Sequence, residues 1–449
     1  MKDDKVEFSA RASLVAYGVR FQQLGIWTPV RRLVKVKQKT RLHTPLDKLL
    51  DALINILAGG AGLVEINTRV RPDSSVQRAF GRSCCAEQST ISDTLNACTT
   101  ENIKQMRQAV NAVLRAHGGS FRHPYQRAAL LLDVDVTGLP AGRDGEGSSK
   151  GYFAGKKNRR GRQLGRVLAT DYDEIVVDSL ADGKRQLNRS LPGLLSQAAA
   201  ALRLDAAKRR ATIVRMDGGA GDAANINWVL KQGYQLLTKL TSWQRAHKLS
   251  AAVSTWYRDT KVADREAGWV ESPLSFARPL RQLLVRTPKS NGTWRYHLLV
   301  TTLSDPMLFR LAGQKPRAHP SSEQQARLLL TAYDRRSGGL ETQNKSDKQG
   351  LALSRRNKRK FAAQELLVLL AQLAHNFVIW TRNDLAQATP RLRKFGIQRT
   401  VRDAFQIAGR VTFSKQGQVR QITLNESHPL AAAVQTALGD DLSLNLGKI

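Results

Sequence analysis

The spacing of hydrophobic residues changes along this chain, and each change marks an element. Between 44 and 64, Leu46, Leu49, Leu50, Leu53, Ile54 and Leu57 recur every three or four positions. The pattern stops at Gly59-Gly60, which predicts an amphipathic helix. Ser89-Thr-Ile-Ser-Asp-Thr-Leu95 opens another helix behind hydroxyl caps, and 101–117 continues helical. Pro124 closes a helical N-terminal domain, 1–125, whose first 30 residues read as partly ordered. At 129–137 the helical period is lost. Ala-Leu-Leu-Leu-Asp-Val-Asp-Val-Thr is short, β-rich and bounded by Pro124 and by Gly138-Leu-Pro140, and it predicts a buried strand.

Residues 166–170 and 174–180 read as two more strands joined by the acidic turn Asp171-Tyr-Asp173, an antiparallel meander. A helix at about 194–203 leads to the apolar run Ala211-Thr-Ile-Val-Arg-Met-Asp217. Gly218-Gly-Ala-Gly221, a helix to about Lys231 and a strand-like 234–240 follow. Residues 245–318 break the alternation. They hold β runs at 282–286 and 296–301 around Asn291-Gly292, a hairpin turn signal, and gather Trp256, Trp269 and Trp294. This is a β-rich insertion. Helix returns from Ser322, breaks at Gly338-Gly339 and runs to about Thr381. The most apolar stretch, 366–380, contains Gln372, His375 and Asn376 and is too short and too polar for a membrane span. The C-terminal region, 386–449, holds a hairpin around Gly417 and a short helix; no internal repeat is visible.

With 449 residues and 41% hydrophobic content, the chain can fold into two or three domains. Charge then narrows the partner. Lys and Arg number 71 against 37 acids, a net +34, which favours a polyanion, with DNA as the first candidate. The basic residues are spread along the chain rather than gathered on one amphipathic helix, which argues against a membrane surface. Arg31, Arg32, Lys35, Lys37 and Lys39 form one acid-free run. Lys150, Lys156, Lys157, Arg159, Arg160, Arg162 and Arg166 form another, with Tyr152 and Phe153 among them, and suit phosphate contact with stacking. Gln88-Ser-Thr-Ile-Ser resembles the start of a recognition helix, although a plain helical bundle fits equally. Cys84, Cys85 and Cys98 make no disulfide framework or zinc spacing, and Met-Lys-Asp-Asp-Lys lacks an apolar signal region, so a cytoplasmic, nucleoid-associated protein is expected.

The chemistry lies in carboxylates. Alternation puts Asp133 and Asp135 on one face of their strand. A buried carboxylate is costly unless it is paired or binds a cation. The bland alternative is that one of them caps the next turn. Asp217 ends a second apolar run, and Glu341 stands in Tyr333-Asp-Arg-Arg336-Ser-Gly-Gly-Leu-Glu341, with Lys348 seven positions on. Two strand acids and a later helical Glu are how two-metal nucleic-acid enzymes build a site.

Together these residues resemble the DDE transposases of bacterial insertion sequences, near the IS-four and IS-thirteen-eighty groups. The resemblance rests on Leu132-Asp-Val-Asp135-x-Thr137, on Arg215-x-Asp217 before small residues and a helix, and on Tyr333, Arg336, Glu341 and Lys348 against the signature Tyr-x2-Arg-x3-Glu-x6-Lys. Arg336 stands one residue too far from Glu341, so it is displaced or Gly338-Gly339 absorbs the step. The resemblance implies an α/β (α+β) fold: an RNase H-like catalytic domain over 126–244 and 319–385, the β-rich insertion between, and the helical N-terminal domain for DNA binding and dimerisation. It implies Asp135, Asp217 and Glu341 as catalytic ligands of two Mg²⁺ or Mn²⁺ ions, with Asp133 the rival to Asp135. Tyr333, Arg336, Lys348, Lys156, Lys157, Arg159, Arg160 and Arg162 would contact DNA. The partners implied are double-stranded DNA, as terminal inverted repeats and target, and a second copy in a homodimer. An aromatic of the insertion, from among Trp256, Trp269 and Trp294, is expected to face the acids and stack a flipped base.

Overall fold

A computed structural model of the chain describes residues 5–153, 155–336, 339–439 and 442–449. The N-terminal segment is tied down rather than loose. Strand β1 (Lys5–Ser9) leads into helix Ala12–Gln23, which buries Leu14, Val15, Tyr17 and Phe21. Helices Pro45–Leu57, Gln88–Ala97 and Thr100–His117 follow, the first behind a capping box in which Thr44 accepts from Asp47 N–H.

The middle of the chain builds one sheet. Its strands are β2 (Leu130–Pro140), β3 (Ser149–Phe153), β4 (Lys156–Ala169), β5 (Glu174–Ala181), β6 (Thr212–Met216), β7 (Gln235–Lys239), β8 (Tyr257–Arg258), β9 (Glu266–Trp269), β10 (Arg281–Pro288) and β11 (Trp294–Thr301). They lie in the order β3-β4-β2-β6-β7-β11-β10-β9-β8, with β5 also on β4. β2, β6 and β7 run parallel, the rest antiparallel. Helices Leu187–Leu202 and Ala223–Lys231 make the parallel crossovers.

One expectation changes here. β2 does not stop at Gly138 but runs to Pro140, because β4 pairs with it as far as Pro140↔Gly161. The ring of Phe153 occupies the space a Cβ on Gly138 would need, 2.5 Å away. The strands of 245–318 extend the same sheet, since β11 pairs with β7.

Strands β12 (Gly409–Phe413), β13 (Val419–Asn425) and β14 (Leu444–Gly447) join β1 in a four-stranded sheet, order β1-β12-β13-β14. The two ends of the chain thus share one core. Its third component is helix Phe361–Ala388, through Leu366, Leu370, Leu373 and Phe377. This helix is long and apolar enough to cross a membrane, but 89% of its most apolar window is buried inside the protein. Its polar residues are matched to β5: Asn376 pairs with the backbone of Ile175, and Gln372 with Ile175, Val176 and Asp178.

Candidate active site

The site forms midway along β2, at Asp135, beside the C-terminal end of β6. These strands pair in parallel with Asp133 beside Arg215 and Val134 beside Met216. Asp135 is the next residue of β2 and Asp217 the residue that follows β6, close enough that Asp217 acts on the Asp135 carboxyl. Arg215 forks onto Asp133 (Nε–Oδ1 2.6 Å, Nη2–Oδ2 2.7 Å), and both are buried, which fixes the face that this pair shares. Asp135, two residues on in β2, shares it too. Asp133 is committed to Arg215, whereas Asp135 lies in the field of another carboxylate, Asp217.

Asp135 is pushed up to about 6. Burial is the largest cause, Asp217 the next, and Glu341 adds to them, against the Val136 N–H bond and the Arg336 guanidinium. This brings Glu341 and Arg336 into one electrostatic neighbourhood with the strand acids. Asp217 is held by the following turn, where Gly219 N–H donates to its Oδ1 at 2.6 Å. Glycine is needed in that loop: a Cβ on Gly221 would lie 1.8 Å from the Lys239 carbonyl.

Glu341 sits in the first turn of helix Leu340–Gly350, exposed, where the helix dipole favours its anion. A Cβ on Gly339 would press to 3.3 Å from both Asp133 Oδ2 and Thr170 Cγ2, so glycine lets the helix start against β2. Gly338, expected to absorb the extra step, lies outside the described residues. Lys348, on the same helix, donates to Thr137 Oγ1 at 2.5 Å, which joins it to the Asp135-x-Thr137 motif. Burial and then Arg166 hold Lys348 below its usual range, against the pull of Asp135. Tyr333 ends helix Ser322–Asp334 with Arg336 over its ring at 5.9 Å. Burial raises its hydroxyl, as does Asp217, while Arg336 opposes them. Asp135, Asp217, Glu341, Tyr333, Arg336 and Lys348 therefore come together. Among the described residues no three His, Cys, Asp or Glu side chains close around a single point tightly enough to hold an ion by themselves. The donor set is nonetheless one of hard oxygens, and the raised value of Asp135 is what an adjacent cation would relieve.

The basic hairpin divides in two. Lys156, Lys157 and Arg159, on the free end of β4, are exposed, and Arg160 is half-buried. Arg162, expected among the DNA contacts, is 1% exposed and donates to the carbonyls of Glu146, Lys358 and Arg359 at 2.6–2.9 Å. These bonds tie β4 to the 141–148 loop and to the segment before helix Phe361–Ala388. Arg166 is also buried.

None of the three tryptophans of the insertion is fully buried. Trp256 and Trp294 flank the Arg286 guanidinium at 4.0 and 4.4 Å, and Trp269 bonds the Ser322 carbonyl and covers Arg281. Trp294 lines a cavity of about 320 Å³ with Trp243, His247, Lys289, Arg295, Tyr296 and His297. Lys239 links this cavity to the acids. A Cβ on Gly218, beside Asp217, would lie 2.9 Å from Lys239 Cε, and Lys239 helps burial to push His297 below its usual range. Trp243, 67% exposed, was missed in the sequence because it follows the β7 strand rather than the β runs.

No curated protein matches the chain. Among solved structures, the cryo-EM structure of a piggyBac transposase synaptic complex with hairpin DNA aligns over 88% of this chain and 79% of its own, with 11% identity and a TM-score of 0.45. The family model of the transposase DDE domain group 1 matches residues 14–442, nearly the whole length, and the chain belongs to that family of DDE transposases.

Proposed function

We propose that the protein cuts DNA at the ends of its own element and joins the freed 3′-OH to target DNA. We place it near the IS-four and IS-thirteen-eighty groups on its motifs. The observation that carries the reading is Asp135, one residue past the last β2–β6 pair, raised to about 6 by burial and by Asp217, with Glu341 in the same field. The strand order β5-β4-β2-β6-β7, three parallel strands flanked by an antiparallel meander, supports an RNase H-like description of this part.

Asp135, Asp217 and Glu341 would hold two divalent cations, Mg²⁺ or Mn²⁺, which when bound supply an activated water and neutralise the leaving oxygen. Water attacks phosphorus and the P–O3′ bond breaks, leaving a 3′-OH and a 5′-phosphate. The 3′-OH then attacks a target phosphodiester and expels its 3′-oxygen. Arg336 and Lys348 hold the scissile phosphate from the helix side, Tyr333 fixing Arg336. Lys156, Lys157, Arg159 and Arg160 contact the backbone further out, consistent with a net charge of +34. The cavity beside Trp294 and Trp243 takes a base turned out next to the cut, which stacking stabilises by about 1–3 kcal/mol. The resemblance adds a homodimer holding two ends.

The test is to incubate the protein with the terminal inverted repeats of its element, target DNA and Mg²⁺, and to map the products. Cuts at the ends with joined strands are expected. Cuts without joined product would indicate a metal-dependent nuclease on the same fold, and neither product would end the reading.

A further inference from the structure

Glu341 and Lys348 reach the site on a helix with little apolar anchorage. At roughly 100° per residue the two return to one face of Leu340–Gly350. Leu340, Gln343, Asn344 and Asp347 fall together on the adjoining face and are buried. Only Leu340 among them is apolar, so polar contacts must seat the helix. Gln343 donates to Asp173 Oδ1 at 3.0 Å. The main seat is Asp347, whose Oδ2 accepts from Arg166 Nη1 at 2.6 Å and whose Oδ1 meets His375 Nδ1 at 2.7 Å. His375 donates from Nε2 to the Asp173 carbonyl at 2.8 Å. Arg166 turns its remaining edge onto Asp178, with both contacts at 2.7 Å. All four side chains are no more than 1% exposed.

The position of Arg166 matters as much as its bonds. In the β2–β4 register it lies directly opposite Asp135. A guanidinium there would be the natural partner of that carboxylate and a direct competitor of a cation. It is instead committed to Asp178 and Asp347.

We propose that Arg166, Asp178, Asp347 and His375 form a positioning quartet for the active site proposed above. It seats the helix that delivers Glu341 and Lys348, and it holds the Arg166 guanidinium away from Asp135. None of the four touches substrate. Removing the Asp347 charge loosens the helix and frees one side of Arg166 to turn toward Asp135, so metal binding and the chemical step weaken while contacts to DNA outside the site remain.

The experiment uses the full chain with Asp347→Asn, Asp347→Glu and His375→Gln. Three quantities are read: the single-turnover cleavage rate, the affinity for end DNA without metal, and the Mn²⁺ concentration that half-saturates thermal stabilisation. Asp347→Asn should slow cleavage at least tenfold and raise the Mn²⁺ requirement severalfold, with end affinity within twofold of wild type. Asp347→Glu should restore part of the rate, and His375→Gln should show a smaller loss of the same kind. Wild-type rates in Asp347→Asn and His375→Gln overturn the proposal. So do parallel losses of rate and end affinity, which report fewer folded molecules. If neither variant folds, the quartet serves the fold as a whole and the proposal also falls. Wild-type protein that fails to cleave removes the transposase reading itself, whereas normal cleavage by every form removes only this one.

Discussion

Asp135→Asn should abolish cleavage and, without metal, make the protein more stable. Asp135 is raised from 3.8 to about 6. Two units at ~1.36 kcal/mol each put roughly 3 kcal/mol of penalty on the ionised acid in the folded state. Because the folded value lies above the unfolded one, the contribution of this acid to stability is intact below 3.8 and is lost as pH rises through about 6. Asparagine suffers no such loss, fills the same volume and can still accept from Val136 N–H, as Asp135 does at 2.7 Å. If the 449 residues unfold as one unit, an unfolding entropy of ~2.1 cal/mol/K per residue converts this penalty into roughly 3 °C. Thermal unfolding in EDTA should therefore give near-equal midpoints around pH 4 and a variant higher by up to roughly 3 °C around pH 8. Adding Mn²⁺ should raise the wild type selectively and narrow the gap. Equal midpoints at the higher pH, or a gap that ignores pH, would refute the argument that Asp135 is an uncompensated carboxylate.

Asp217→Asn and Glu341→Gln should each remove cleavage and leave end binding largely intact in a gel-shift titration, since the wider basic surface holds the DNA. The basic hairpin should separate by exposure: Ala at Lys156, Lys157 or Arg159 should lower the salt slope of DNA binding by about one each without changing the melting point. Arg162→Ala should instead lower the melting point, because it strands three carbonyls, with DNA affinity of the folded fraction unchanged. Trp294→Ala should slow a cleavage step after the first nick in a time course resolved by strand, by about tenfold or more if stacking supplies ~1–3 kcal/mol. Equal effects on both steps would mean that its cavity takes no base.

The two acid-bearing strands were legible in sequence because Leu130-Leu-Leu and Thr212-Ile-Val are apolar runs that can only be buried. Choosing between Asp133 and Asp135 was not possible from alternation, which puts both on one face. What separates their surroundings is the partner strand, whose Arg215 engages Asp133 alone. Arg162 looked like any other member of a basic run, since what buries it, the carbonyls of Lys358 and Arg359, lies nearly two hundred positions away. Asp347 gave no signal at all in a polar helix beside Lys348; its partners come from β4 and from the 361–388 helix. The β runs at 282–286 and 296–301 fall within β10 and β11, but pairing of β11 with β7 is a non-local fact that local composition does not carry. Likewise β1 is only five mostly polar residues, and its place depends on β12.

Helix Phe361–Ala388 belongs on one side to the core shared by both chain ends and on the other to β5 and the Asp347 cluster. Strands β12, β13 and β14 are therefore not a dispensable tail. A gene copy cut short after about codon 388 would still encode every acid of the proposed site, but it would strip β12, β13 and β14 from a helix that is apolar along most of its length. Its product would expose Leu366, Leu370 and Phe377 and be drawn into aggregates or proteolysis, rather than persist as a shortened form that occupies DNA ends and blocks the intact enzyme. Decayed copies of such an element would thus tend to fall silent without becoming inhibitors of their active relatives.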